Sequence, residues 1–241
     1  MLVKALPQPS KRFGETVCCA GVTADRQWKR LYPVRFRHLA GESAFRRWDW
    51  VSFEYGRPKS DARAESCHVH EETIVVERPM PEADRSKLLC AMFKSSGVAA
   101  AESGFSLALI EPRNTKFSWR KKSDAELEED RVMFREAARQ HSLLDKPLAE
   151  MDPTPYEFFF QFEDGAGRHQ YRNGDWEAHA TFWRRTRETS EAEALRFLSE
   201  KFNDDYPKRG MAFAIGNMAK RPKTWQLLGV LRLDTAQGVL L

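Results

Sequence analysis

Cysteine is scarce, with four in 241 residues. Cys18 and Cys19 adjoin while Cys67 and Cys90 stand alone, so the spacing offers neither a CxxC zinc half-site nor a disulfide framework. Buried free thiols are the expectation. No apolar run approaches the roughly 18 residues that a membrane-spanning helix needs. The opening MLVKALPQPSKRF lacks the apolar h-region of a secretory signal, so the chain reads as cytoplasmic with no membrane partner. P-loop, GxGxxG, GxSxG and HExxH patterns are also missing, which removes support for nucleotide hydrolysis, dinucleotide redox chemistry, serine hydrolysis and zincin chemistry. The paired cysteines of zinc deaminases are absent, as is a Glu-x-Lys nuclease triplet on a strand-like segment. What survives is chemistry without a metal or cofactor, or binding alone.

Charge and aromatics are abundant in particular places. Residues 28 to 50, WKRLYPVRFRHLAGESAFRRWDW, hold six aromatic and six basic side chains against Glu42 and Asp49 only. That window carries the +4 of the whole chain. From Tyr206 to Leu233 six basic residues occur without an acid, and FSWRKK and FWRR repeat the pairing of aromatic with base. Lysine and arginine neutralise phosphates, and aromatic faces stack on unpaired bases. Several such segments on one face would follow a polyanion. The competing reading makes the aromatics core and the arginines a solvated alternate face; in QWKRLYPV, alternation mixes Arg30 with Trp28 and Tyr32 on one side, unlike a pure core face.

The pattern of elements predicts an α+β fold, mostly antiparallel sheet with several flanking helices, in a single domain over 1–241. A β-rich N-terminal part spans about 1–78 and an α+β part about 79–241. Glu15–Val22 and Gln27–Val34 flank the turn-like TADR as a hairpin, with Pro33 at the strand's end because proline removes a ladder donor. Asp49–Tyr55 and Ser66–Glu77 form a second pair across GRPKSDARAE. SKLLCAMFKSS suits a helix started by proline. SDAELEEDRVMFREAARQHSLL suits an acidic, solvated helix capped by Ser123. PYEFFFQFEDGAGRHQYR reads as a hairpin turning at DGAG, and the helices DWEAHATFWRRTRE and SEAEALRFLSEKF follow. The strands MAFAIG and TWQLLGVLRL close the chain.

Three carboxylates are candidates for chemistry. Asp61 and Glu65 flank Arg63 in DARAES, either as a salt-bridged loop or as groups poised beside the basic window. Asp175, in RNGDWEAH, either caps a helix or orients a water there, and Glu177 shares both readings. His68 and His70 would share a strand face, a weak metal signal that an exposed edge strand explains equally well.

RLYPVRFR at 30–37, DARAES at 61–66, PYEF at 155–158, DWE at 175–177, IGN at 215–217 and LGV at 228–230 together resemble a prokaryotic family connected with DNA metabolism and phage defence, and through it defence DNA glycosylases that remove modified cytosines. Relatives can carry cysteines in the turn that here reads EDGAGRH; their absence departs from any zinc-stabilised version of that fold. The resemblance implies a monofunctional DNA glycosylase that flips a modified base into an aromatic-lined pocket, leaving an abasic site. Asp61, Glu65 or Asp175 would stabilise the oxocarbenium-like state. Arg30, Arg35, Arg37, Arg46 and Arg47 would grip phosphate, joined by Lys220, Arg221 and Lys223, with Tyr32 or Trp48 as wedge. A non-catalytic reader of modified DNA and a metal-dependent nuclease are the alternatives.

Overall fold

The computed structural model describes residues 1–6, 8–10, 14–35, 39, 41–59, 61–139, 152–219 and 221–234. Its order of elements is β1 (Val3–Lys4), β2 (Gln8–Ser10), β3 (Gly14–Val22), β4 (Trp28–Val34), β5 (Asp49–Ser52), β6 (Tyr55–Gly56), β7 (Ser66–Val69), β8 (Val75–Pro79), α1 (Glu82–Leu89), α2 (Gly97–Glu102), β9 (Leu107–Ile110), β10 (Arg113–Lys121), α3 (Asp124–Arg139), β11 (Tyr156–Asp164), β12 (Gly167–Arg172), α4 (Trp176–Thr186), α5 (Glu191–Glu200), α6 (Tyr206–Lys208), β13 (Met211–Met218) and β14 (Arg221–Arg232). The fold is α+β, with mostly antiparallel sheets.

The β3–β4 hairpin forms as expected, and Pro33 is accommodated where the register slips between Val17↔Val34 and Cys19↔Leu31. A bulge there spares the ladder a missing donor. The second expected pair divides. Asp49–Ser52 pairs with Val75–Pro79 in a sheet of its own, whereas Tyr55–Gly56 pairs with Ser66–Val69, which joins β4 in parallel through Arg30↔Ser66 and Tyr32↔His68. That parallel pairing brings the DARAES loop beside the RLYP strand. No local pattern encodes it, since parallel partners need a long crossover.

β10, β11 and β12 form a second sheet and β14, β13 and β9 a third. Alternation on β11 buries Phe158, Phe160 and Phe162 against Phe182, Phe202 and Phe213. Each fully buried phenylalanine contributes about 1.5–3 kcal/mol relative to exposure. β14 touches the neighbouring segment through the Asn173↔Leu227 bridge. Another cluster joins Leu2, Val3, Ala20 and Trp28 to Leu89, Leu107, Ala214 and Leu231. The N-terminal strands and the C-terminal hairpin therefore share a core.

Helix ends follow local chemistry. Ser190 and Glu193 make a reciprocal capping box on α5, and the Ser123 backbone N–H and the Glu126 carboxylate bond at 2.8 Å at the start of α3. Sequence reading missed two features: the short α2, capped by Ser96, and a π-helical turn, Lys201–Asp205, that extends α5 into α6. The thiols are free, but only Cys19 and Cys67 are buried; Cys18 is half-buried and Cys90 exposed. No described helix is long and apolar enough to cross a membrane.

Candidate functional site

The described residues of the basic window at 28–50 do not form one surface. Its two ends serve two different cavities. Arg30 and Tyr32 line a cavity of about 770 Å³, and Arg47 and Trp48 line another of about 810 Å³. Between the ends, Arg35 is ion-paired with Glu71 at 2.8 Å, and Arg46 is exposed. Arg37, like Lys220, lies outside the described residues. Arg221 and Lys223 are exposed at the start of β14.

The first cavity, called here the arginine cavity, lies where β4, the DARAES loop, β12 and the β13–β14 hairpin meet. Its wall carries Arg30, Arg63 and Arg172, the aromatics Tyr32, Tyr171 and Trp225, and the amides Gln170, Asn217 and Gln226, with no carboxylate among the described residues. Gly216 permits this packing: a Cβ there would stand 2.6 Å from Leu228 Cδ1 and 3.3 Å from an Arg30 nitrogen.

Arg30 is 5% exposed. Its Nη2 donates to the Ser106 carbonyl at 3.0 Å and to Ser106 Oγ at 3.3 Å. Its Nε, like Asn217 Oδ1, is buried without a hydrogen-bond partner among the described residues. Among the described residues no carboxylate pairs with Arg30; Glu65 is linked to it through Ser106, whose N–H donates to Oε1 at 2.7 Å and whose hydroxyl meets Oε2 at 3.2 Å. A buried cation without a direct counter-ion is costly. The cavity is therefore electropositive at its floor.

Arg63 is held from behind. Asp61 accepts from Nε at 2.9 Å and from Nη2 at 2.7 Å, while Nη1 donates to the Asn217 carbonyl at 2.8 Å. A guanidinium has five donors, so N–H groups remain for a ligand. Burial would raise the Asp61 carboxyl, but its bonds from Arg63 and Ser66 outweigh that and hold it down at about 2. Asp61 thus stays ionised and fixes Arg63.

Asp175 is 1% exposed and lines neither cavity. It caps α4 by accepting from the Glu177 N–H at 3.1 Å, and it takes Arg47 Nη2 at 2.6 Å and the Val230 N–H at 2.9 Å. Arg47 spends its other terminal nitrogen on the Val230 carbonyl at 2.7 Å. Glu177 binds Lys4 at 2.6 Å. This buried network ties the N-terminal segments to α4 and β14.

Of the other candidates, His68 and His70 are both exposed with ring centroids 6.4 Å apart. Among the described residues no group of three or more His, Cys, Asp and Glu is arranged to hold a metal ion. His169 meets Asp164 at 2.7 Å beside the β11–β12 turn. Sequence reading brought out RLYP, DARAES and IGN, which do converge on the arginine cavity, but it passed over Gln170, Tyr171, Trp225 and Gln226. Buried Trp225 alternates with exposed Thr224 and Gln226, a signal that could have marked it. The second cavity, lined by Lys201, Tyr206, Arg85 and Arg232 besides Arg47 and Trp48, was not anticipated at all.

The chain belongs to the family described as Domain of unknown function (DUF8757), whose model matches residues 89–238, while the model described as Domain of unknown function (DUF8758) matches residues 1–91. The two matches overlap at residues 89–91, where α1 ends, and the arginine cavity takes walls from both. No curated protein and no solved structure matches the chain.

Proposed function

We propose that this protein binds DNA and takes up one nucleotide, turned out of its strand, in the arginine cavity. The single observation that carries this reading is Arg30, a buried guanidinium that pairs with no carboxylate among the described residues, at the floor of a cavity whose described wall holds two further arginines and no acid. Such a floor attracts an anion. The aromatic and amide side chains around it suit a base, which offers a π-face and a hydrogen-bonding edge. Tyr32, 39% exposed, stands at the rim where a wedge would act.

Recognition is better supported than excision. Asp61, Glu65 and Asp175 are each engaged by arginine, serine or backbone donors, and none lines the cavity. A glycosylase needs a carboxylate facing the sugar. Asp61 is the nearest in role, being ionised and one guanidinium behind the wall, and excision would require it to part from Arg63.

Two assays on one set of DNA substrates test the proposal. Affinity for oligonucleotides should be salt-dependent and should exceed that for free mononucleotides; equal affinity for both would replace the DNA reading with a small-anion site. Abasic sites should not accumulate. Their accumulation, abolished by Asp61→Asn, would reinstate the glycosylase.

A further inference from the structure

The polar arginine cavity has an apolar lip. Tyr32, Phe105 and Met218 are large side chains left 39%, 37% and 38% exposed, and Tyr32 and Met218 line the cavity itself. Phe105 joins them through the sheet. β9 and β13 pair at Gly216↔Leu107, the Asn217 N–H then donates to the Ser106 carbonyl at 3.0 Å, and the next residues along are Phe105 and Met218. Both therefore stand at the same end of neighbouring strands. Apolar residues exposed singly need no explanation, but a group of them rimmed by polar residues marks a contact surface. The rim here is basic. Lys94 Nζ stands 5.1 Å from the ring centroid of Phe105, Met218 pairs in register with Arg221, and Lys223 follows on β14. From Met211 to Arg232 this hairpin carries no acid.

We propose, resting on the nucleotide reading above, that the cavity draws its nucleotide from double-stranded DNA and that Met218, backed by Phe105, fills the step left empty in the base stack. An apolar tip between basic flanks matches a duplex, which is anionic along its backbones and apolar between its base pairs. A nucleotide turned out of a duplex leaves its two neighbouring pairs facing a gap, and an apolar side chain inserted there holds the step open. Methionine suits that place, because its unbranched thioether adapts to an irregular space. Met218 is also tied to the cavity wall: Gln226 Nε2 donates to its Sδ at 3.4 Å, and both residues line the cavity. Arg221 and Lys223, exposed on the same hairpin, meet the phosphates beside the gap. A lone strand has no such gap to fill, so Met218 and Phe105 add little to its binding.

The test binds the full chain, at one salt concentration, to three DNAs of the same length and sequence: a single strand, a matched duplex, and a duplex with one mismatched pair beside a 2-aminopurine. A mismatch lowers the cost of extrusion. The mismatched duplex should bind most tightly and the single strand least, and 2-aminopurine fluorescence should rise on binding as its stack opens. Met218→Ala with Phe105→Ala should lose about tenfold in affinity for the mismatched duplex, together with the fluorescence rise. Its affinity for the single strand and its melting temperature should stay as in the wild type, and Met218→Leu should keep both the affinity and the signal. A single strand bound as tightly as the mismatched duplex, or a double variant with wild-type affinity and signal, would overturn the proposal while leaving the DNA reading in place. Binding to none of the three would overturn the DNA reading itself. Should the double variant fail to fold, Met218→Ala alone and the wild-type ranking of the three DNAs decide.

Discussion

Two arginine–aspartate pairs of nearly equal length do different work. Arg47–Asp175 closes at 2.6 Å with side chains 12% and 1% exposed, and Arg63–Asp61 closes at 2.7 Å with 21% and 19%. The first spends its polar atoms on the interior: a helix cap, β14 backbone and each other. The second leaves guanidinium N–H groups at the arginine cavity. Burial and the identity of the remaining partners, rather than distance, separate an ion pair that holds the fold from one that aims a side chain.

The sharpest way to break that comparison is to remove each carboxylate. Asp175→Ala strands Arg47 in the interior and removes a cap, so chemical denaturation should show a loss of about 3–5 kcal/mol. Asp61→Ala, at a partly solvated pair, should cost about 1 kcal/mol or less. Similar losses would erase the distinction. Asp175→Asn keeps the cap but not the charge, and should fall between them.

Acid should probe the interior next to Asp175. His179 on α4 is buried against Phe158, with Nδ1 2.8 Å from Thr154 Oγ1. Burial lowers its pKa to about 3, with the Asn173 carbonyl working weakly against that shift. Folded His179 is thus neutral where the unfolded chain begins to bind a proton, near pH 6.5. Stability is complete above that pH and falls toward pH 3, by up to about 1.4 kcal/mol per unit. His179→Gln should flatten the slope, as followed by denaturation at several pH values; an unchanged slope would place the acid sensitivity elsewhere. Asp61 adds its own loss only lower, between about 4 and 2.

At the cavity, Arg63→Gln should weaken DNA binding about tenfold, or roughly 1.4 kcal/mol, with little change in melting temperature. Arg47→Gln should do the reverse. Fluorescence anisotropy and thermal melting on both variants test the crossing. The smallest effect belongs to the exposed β14 residues: Arg221→Ala with Lys223→Ala should reduce the slope of log affinity against log salt by about two contacts. An unchanged slope takes that edge off the DNA path.

Much of this architecture was legible because its causes are local. Serine caps, period-two phenylalanines and the DGAG turn each act within a few residues, and the helices and hairpins they mark are present. The candidate site was legible only in fragments. DARAES meets RLYP through a parallel pairing of β4 with β7, and Arg47 meets Asp175 across 128 positions. Charge alone could not tell Arg47, turned inward, from its exposed neighbour Arg46. The π turn at Lys201 leaves no distinct pattern in SEKF, since apolar spacing continues as an ordinary helix would have it.

The central claim is that a nucleotide enters the arginine cavity, and photocrosslinking reads it directly. DNA carrying 5-iodouracil is irradiated in complex with the protein and the attached residue is mapped by mass spectrometry. The account predicts attachment at Tyr32, Tyr171 or Trp225; attachment confined to surface aromatics such as Trp119, with these three untouched, would contradict it.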